Sequence, residues 1–289
     1  MVTPMSDGAV AYSDLERLIA SQLESDVSGI VPCGTTGESP TLSEQEHLQV
    51  IRTCIDIAQE KTLVIAGTGA NSTAEALHLT KAADQAGADA FLLVAPYYNK
   101  PSQEGLFAHF SALAQVTEKP IILYSIPSRC GIEISTDVVC RLRERFPHVC
   151  ALKEAGGRSA KVSETMIAID ENFVVLSGDD GLTLPFMACG AKGVVSVASN
   201  LVPDTVTEMV QFALAGDFRS AQKIHLANYQ LFTDLFCEPN PVPVKYLMKL
   251  KGLISSEEVR MPLCAPSELS AKLLDEIASK LQLKEVVLS

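Results

Sequence analysis

At 289 residues, with 47% hydrophobic and 20% charged side chains, the chain can bury one large α/β domain or two small ones, which excludes a peptide hormone, a repeat array and a disordered protein. Its 23 basic and 35 acidic residues leave a net charge of -12, which opposes binding to nucleic-acid phosphates or to an anionic membrane surface. No apolar run approaches the roughly 18 residues of a membrane span, and residues 1–20 lack the basic and apolar stretches of a secretory signal, so the expectation is a soluble, cytoplasmic protein.

In chain order, the first strand expected of a closed barrel has only Met1 and Val2 before the Thr3-Pro4 turn signal, and so reads as truncated. An apolar run at 29–33 leads into the segment 34–39, GTTGES. Its glycines permit a tight turn whose amides and hydroxyls can hold a small anion, although a plain strand-to-helix turn reads equally well from this segment alone. Ser43 with Glu46 forms a capping-box pattern at a helix start, and Leu48, Ile51, Ile55 and Ala58 continue it as an apolar stripe. The run 63–66 precedes a second such pattern at Ser72 and Glu75. Runs at 90–95, 120–124, 149–153, 173–177 and 193–197 complete the series, and the residues beyond read as mostly helical.

Near-continuous apolar strands alternating with amphipathic helices imply a parallel sheet covered by helices. An open nucleotide-binding sheet should follow its first strand with GxGxxG or GxxxxGKS/T, and neither follows any of these runs. The expectation is therefore an α/β fold, a (β/α)8 TIM barrel over residues 1–215 with a small C-terminal helical region over 216–289. The eight cysteines are scattered, with no CxxC pair and no histidine at zinc-finger spacing; most sit in apolar stretches, as reduced buried residues do, and no metal site is expected.

In such a barrel the active site gathers at the C-terminal ends of the strands. Lys61, Lys119 and Lys192 lie just before strands, whereas Lys153 closes one. Alternation puts Val149, Ala151 and Lys153 on one side of that run, so the amine projects among small apolar neighbours, where desolvation favours a neutral amine able to attack a carbonyl. The plainer reading is a strand-end lysine reaching solvent. Lys100, in a proline-flanked loop, has nothing nearby to desolvate it. Tyr124 closes the run 120–124, where a phenol can relay protons or simply pack its ring and wet its hydroxyl. Arg129, in the loop beyond, can offer its guanidinium fork to a carboxylate or stand as a surface charge.

Taken together, seven stretches resemble the dihydrodipicolinate synthases, within the wider pyruvate-lysine aldolase family that includes N-acetylneuraminate lyase. They are 34–39 (GTTGES), 66–71 (AGTGAN), 96–105 (PYYNKPSQEG), 124–129 (YSIPSR), 152–155 (LKEA), 177–180 (SGDD) and 238–245 (EPNPVPVK), and the resemblance spans nearly the whole chain. It implies a (β/α)8 barrel that condenses pyruvate with L-aspartate 4-semialdehyde in lysine and diaminopimelate biosynthesis. Lys153 would form the Schiff base, Tyr124, Thr35 and Tyr98 the proton relay, and Tyr98 would reach into a neighbouring subunit of a homotetramer or homodimer. Arg129 would receive the aldehyde substrate's carboxylate, Thr35 and Thr36 would hold that of pyruvate, and Gly178 and Val195 would line the pocket. The resemblance implies no metal or organic cofactor, because the protonated imine acts as the electron sink. Ser39, His47, Asn71, Glu75 and Tyr97 match the family's positions for an L-lysine effector, with Glu44 where many sensitive members carry histidine.

Ser125, Cys130 and Gly156 depart from the commoner Asn, Thr and Thr of the family. Another class I 2-oxo-acid aldolase, of the N-acetylneuraminate lyase kind, would share Lys153 and Tyr124, but YSIPSR with Arg129 suits a dicarboxylate product better than a sugar. A catalytically silent binding homologue should have lost Lys153 or Tyr124, and a purely structural assembly protein should not bind pyruvate.

Overall fold

The computed structural model describes residues 1–280. The final part of the helical region expected from the sequence, 281–289, lies outside the described residues. From the N-terminus the elements are β1 (Met5–Ser6), β2 (Ala9–Val10), α1 (Tyr12–Leu23), β3 (Gly29–Ile30), α2 (Glu44–Ala58), β4 (Leu63–Gly67), α3 (Thr73–Ala86) and β5 (Ala90–Val94). There follow α4 (Gln103–Ala114), β6 (Ile121–Ser125), α5 (Pro127–Cys130), α6 (Thr136–Arg145), β7 (Val149–Glu154), α7 (Ser159–Ala168), β8 (Val174–Ser177) and α8 (Thr183–Ala188). The helices α9 (Pro203–Leu214), α10 (Phe218–Asp234), α11 (Val242–Leu250) and α12 (Glu268–Lys280) close the described chain. The recurring strand-then-helix order makes this an α/β fold of the TIM-barrel type.

The chain divides into two compact units, one of Met1–Leu63 with the chain from Ser196 onward, the other of Val64–Val195. In the first, the Met1 amino group donates to the Val31 carbonyl at 2.9 Å and the Val2 N–H to Asn200 Oδ1 at 3.0 Å, so the short N-terminal segment runs beside the continuation of β3. The antiparallel pair β1 and β2 that follows was not anticipated from the Thr3-Pro4 signal. The expected strand at 29–33 is shorter than its apolar run: it ends at Ile30, the chain enters a turn at Pro32, and Cys33 follows at φ 55°.

Helix α2 begins at the expected capping box: Ser43 Oγ accepts from the Glu46 N–H, and the Glu46 carboxylate accepts from the Ser43 N–H. Its buried face is turned from the expected one. His47, Val50, Ile51, Cys54 and Ala58 are covered, with α1 packed against the helix, while Leu48 and Ile55 are only half-buried. Two stripes of similar apolarity exist on this helix, and packing chooses between them.

In the second unit β4 to β8 pair in parallel in chain order, with Ile65 opposite Ala90, Phe91 opposite Ile121, Tyr124 opposite Lys153, and Lys153 opposite Leu176. Phe91, Leu93, Leu123, Val149, Leu152 and Val175 are fully buried, as strands covered on both faces must be, which is why these runs read as continuous apolar stretches. The run 193–197 is a correction: it forms no strand, and only Val194 bridges Ser177. The cysteine expectation also needs correction. All eight are free, but just Cys33, Cys54 and Cys130 are buried, and Cys237 and Cys264 are exposed. No described helix is long and apolar enough to cross a membrane.

Candidate active site

Lys153 and Tyr124 are register partners near the C-terminal ends of β7 and β6, so their side chains leave the sheet on the same face. Lys153 Nζ stands 4.0 Å from the centroid of the Tyr124 ring, and both residues are buried. Gly178, just past β8, donates its N–H to the Glu154 carbonyl at 2.8 Å. A Cβ at Gly178 would fall 3.1 Å from Lys153 Cε and 2.6 Å from the Ala155 Cβ, so the lysine stem passes where a side chain would be. The Val195 N–H reaches the carbonyl of Ser177, the residue before Gly178, at 2.9 Å.

Three lysines are buried among the described residues: Lys153, Lys161 and Lys245. Lys161 donates to Thr136 Oγ1 at 3.0 Å and lies 3.9 Å from the Glu133 carboxylate, and Lys245 is ion-paired with Glu38. The Lys153 amine makes no hydrogen bond and no ion pair with any described residue. Its amine rests on an aromatic face and is uncommitted to an anion, which is the state a nucleophilic amine requires.

Arg129 lies exposed on α5, and Tyr98 projects from the loop between β5 and α4 at 89% exposure with φ 74°. Lys100 is exposed, and its stem lies over Gly131, where a Cβ would meet Lys100 Cε at 2.7 Å. Thr35 and Thr36 belong to the first unit, in a turn closed by Gly37 and Ser39 N–H groups on the Gly34 carbonyl. Thr36 Oγ1 accepts from Asn240 Nδ2 at 2.9 Å.

The residues matched to an effector site divide between the units. Ser39 begins a single helical turn, and His47 is buried on α2. Asn71, Glu75 and Tyr97 lie together in the second unit: burial first, and then the Glu75 charge, push the Tyr97 phenol up, while the Asn71 backbone opposes them.

Several residues of consequence escaped the sequence reading. Glu154 is fully buried; its Oε1 accepts from the Gly156 N–H at 2.6 Å, and its Oε2 has no partner. Burial raises this carboxyl to about 7, with Glu133 pushing the same way and the Gly156 N–H, Lys161 and Arg158 opposing. A Cβ at Gly156 would meet Glu154 Oε1 at 2.4 Å, so the departure at 156 leaves room for the carboxyl. Ser125 Oγ accepts from the Ile134 N–H at 3.3 Å, and the Cys130 thiol donates to the Ala95 carbonyl at 3.2 Å and is raised to about 11 by burial. The pairing of Glu38 with Lys245 was missed although both residues sit in quoted stretches; Lys245 stands out as a charge in the apolar run 242–248, whereas Glu38, in the polar segment 34–39, carries no such signal.

The dihydrodipicolinate synthetase family model matches residues 1–282. The 4-hydroxy-tetrahydrodipicolinate synthase of Sulfurihydrogenibium sp. (strain YO3AOP1) is 48% identical over 280 residues, covering 97% of this chain and 96% of that protein. The structure of the chloride-inhibited dihydrodipicolinate synthase from Acinetobacter baumannii complexed with pyruvate superposes with a TM-score of 0.93 at 43% identity, covering 97% of this chain and 96% of the other. That of DHDPS from Cyanidioschyzon merolae with lysine bound gives a TM-score of 0.93 at 37% identity, with 97% and 96% covered.

Proposed function

The chain belongs to the dihydrodipicolinate synthetase family, and from that premise we propose that it condenses pyruvate with L-aspartate 4-semialdehyde to 4-hydroxy-tetrahydrodipicolinate through a Schiff base on Lys153, in lysine and diaminopimelate biosynthesis. The observation that carries the mechanism is the buried, unpaired Lys153 amine on the Tyr124 ring.

The neutral amine attacks the ketone carbon of pyruvate, and the carbonyl oxygen leaves as water. The protonated imine draws electrons from the methyl carbon, which loses a proton to become an enamine and then bonds to the aldehyde carbon of the second substrate; the aldehyde oxygen takes up a proton, and the amino group of that substrate then attacks the imine carbon, expelling the Lys153 amine and closing the ring. Tyr124 lies beside the reacting nitrogen, and with Thr35 and Tyr98 it passes these protons. Thr35 and Thr36 hold the pyruvate carboxylate, Arg129 that of the aldehyde, and Gly178 and Val195 form the wall near the imine. No metal or organic cofactor enters, because the imine is the electron sink.

The 89% exposure of Tyr98 supports a homodimer or homotetramer in which this side chain serves a second copy. The grouping of Asn71, Glu75 and Tyr97, with the lysine-bound relative, supports an L-lysine effector site that also draws on Ser39 and His47. The helical content beyond 216 supports the division into a barrel of 1–215 and a helical region of 216–289.

Borohydride reduction in the presence of pyruvate, followed by peptide mass mapping, tests the chemistry. A pyruvyl adduct on Lys153 is expected. Its absence, or its appearance on Lys100, sinks the mechanism.

A further inference from the structure

Glu38 stands in the left-handed region at φ 55°, a conformation that a residue with a side chain keeps only where its surroundings enforce it. Its main chain closes the turn that carries the two threonines: its N–H donates to the Thr35 carbonyl at 3.1 Å, and its carbonyl accepts from the Thr41 N–H at 3.0 Å and hydroxyl at 3.1 Å. Its buried carboxylate is held at both oxygens by distant parts of the chain. Lys245 Nζ donates to Oε1, and the Arg260 N–H donates to Oε2 at 2.9 Å.

Those two donors are themselves fixed. Lys245, without exposed surface, also donates to the Glu258 carbonyl at 2.8 Å. The Arg260 guanidinium reaches the Thr41 carbonyl at 2.9 Å, both Glu46 oxygens at 2.7 and 2.5 Å, and the Gly8 carbonyl at 2.9 Å. Next to this clamp, Asn240 Nδ2 donates to Thr36 Oγ1, occupying one acceptor site of a hydroxyl that has a single proton to give. That proton can be given to another acceptor, and an anionic ligand is the acceptor such a turn favours.

We propose that Glu38 is a positioning residue for the pyruvate carboxylate: clamped by Lys245 and Arg260, it holds Thr35 and Thr36 in the donor geometry that binds this anion. The inference rests on the proposed function, since it takes pyruvate as the anion. A buried ion pair is poorly suited to raising stability, because its desolvation offsets its attraction and an apolar or neutral pair often serves as well. Orientation is what a neutral pair cannot supply here.

The test compares wild type with the double variant Glu38→Gln/Lys245→Met, which removes both charges and leaves neither buried alone. The double variant is expected to melt close to wild type, to raise KM for pyruvate about tenfold or more, and to leave KM for the aldehyde and kcat within about threefold. Saturating pyruvate still yields the borohydride adduct. An unchanged KM for pyruvate, or an equal rise for both substrates, overturns the proposal. If the double variant does not fold, Glu38→Asp keeps the charge but shortens the reach to two donors; a selective rise in pyruvate KM supports the clamp, and wild-type KM overturns it. Wild type that forms no pyruvate adduct counts against the proposed function, whereas wild type that forms it beside an unaltered variant overturns the clamp alone.

Discussion

The Lys153 amine lies against the face of the Tyr124 ring, 4.0 Å from its centroid, because the two residues oppose each other in the register of β6 and β7. The ring orients the lysine stem, while the phenol oxygen at the ring's far end is a separate chemical device. One substitution separates these two contributions.

Tyr124→Phe keeps the ring and removes the hydroxyl. Borohydride trapping of pyruvate should persist, while turnover falls by about 10²- to 10⁴-fold, the usual worth of a general acid or base. Thr35→Val should behave alike if the relay holds. Rapid-quench mass analysis beside steady-state kcat reads both quantities, and unchanged turnover in both variants would remove them from the mechanism.

Gly178→Ala places a methyl 2.6 Å from the Ala155 Cβ and 3.1 Å from Lys153 Cε. The Ala155 Cβ is fixed by its backbone, so the chain beside it must give and the nearby lysine stem shifts with it; displacement of a reacting group costs up to about 10²-fold in rate. Imine formation should slow by about tenfold or more with the fold retained by circular dichroism. A wild-type trapping rate would show that the stem has room to spare.

Glu154 couples stability to pH. Its folded carboxyl is raised to about 7 from 4.5, so the unfolded chain releases this proton at lower pH than the folded one does. Below 4.5 both states are protonated and the group is neutral in its effect; as pH rises from 4.5 to 7 it increasingly favours unfolding, by roughly 3 kcal/mol in all, and above 7 that penalty stays constant. Glu154→Gln should therefore lose less stability than wild type between pH 5 and pH 8. Calorimetric melting at the two pH values decides it, and parallel shifts in both proteins would exclude the carboxyl as the source.

An effector site at Asn71, Glu75 and Tyr97 predicts inhibition by L-lysine, with the exposed Glu75 carboxylate pairing with an ammonium group. Initial rates at subsaturating pyruvate should fall as L-lysine enters the millimolar range, and Glu75→Ala should blunt the effect. A flat wild-type titration ends the idea; equal inhibition of both proteins moves the site elsewhere.

Much of the site was legible because its signals are local. Lys153 closes an apolar run, and Ser43 with Glu46 announces a helix through groups three residues apart. The buried face of α2 was not legible: His47, Val50 and Cys54 compete with Leu48 and Ile55, and the periodicity of one helix cannot say which side a neighbour will cover. Residues 193–197 have strand composition, yet Val194 alone among them forms a bridge, to Ser177.

Alternation of apolar runs with amphipathic segments was enough to determine the α/β class, and strand-end position marked Lys153 as a candidate nucleophile beside the plainer reading of a solvent-reaching lysine, since both follow from the fixed periods of strand and helix. Tertiary structure alone decided which buried charges are paired. Glu38 and Lys245 are 207 positions apart, and the Glu154 carboxyl is enclosed with one oxygen unpartnered while Lys153, its chain neighbour, turns to an aromatic face. Burial sets the cost of each charge and long-range contacts set its compensation, and neither quantity is carried by local spacing.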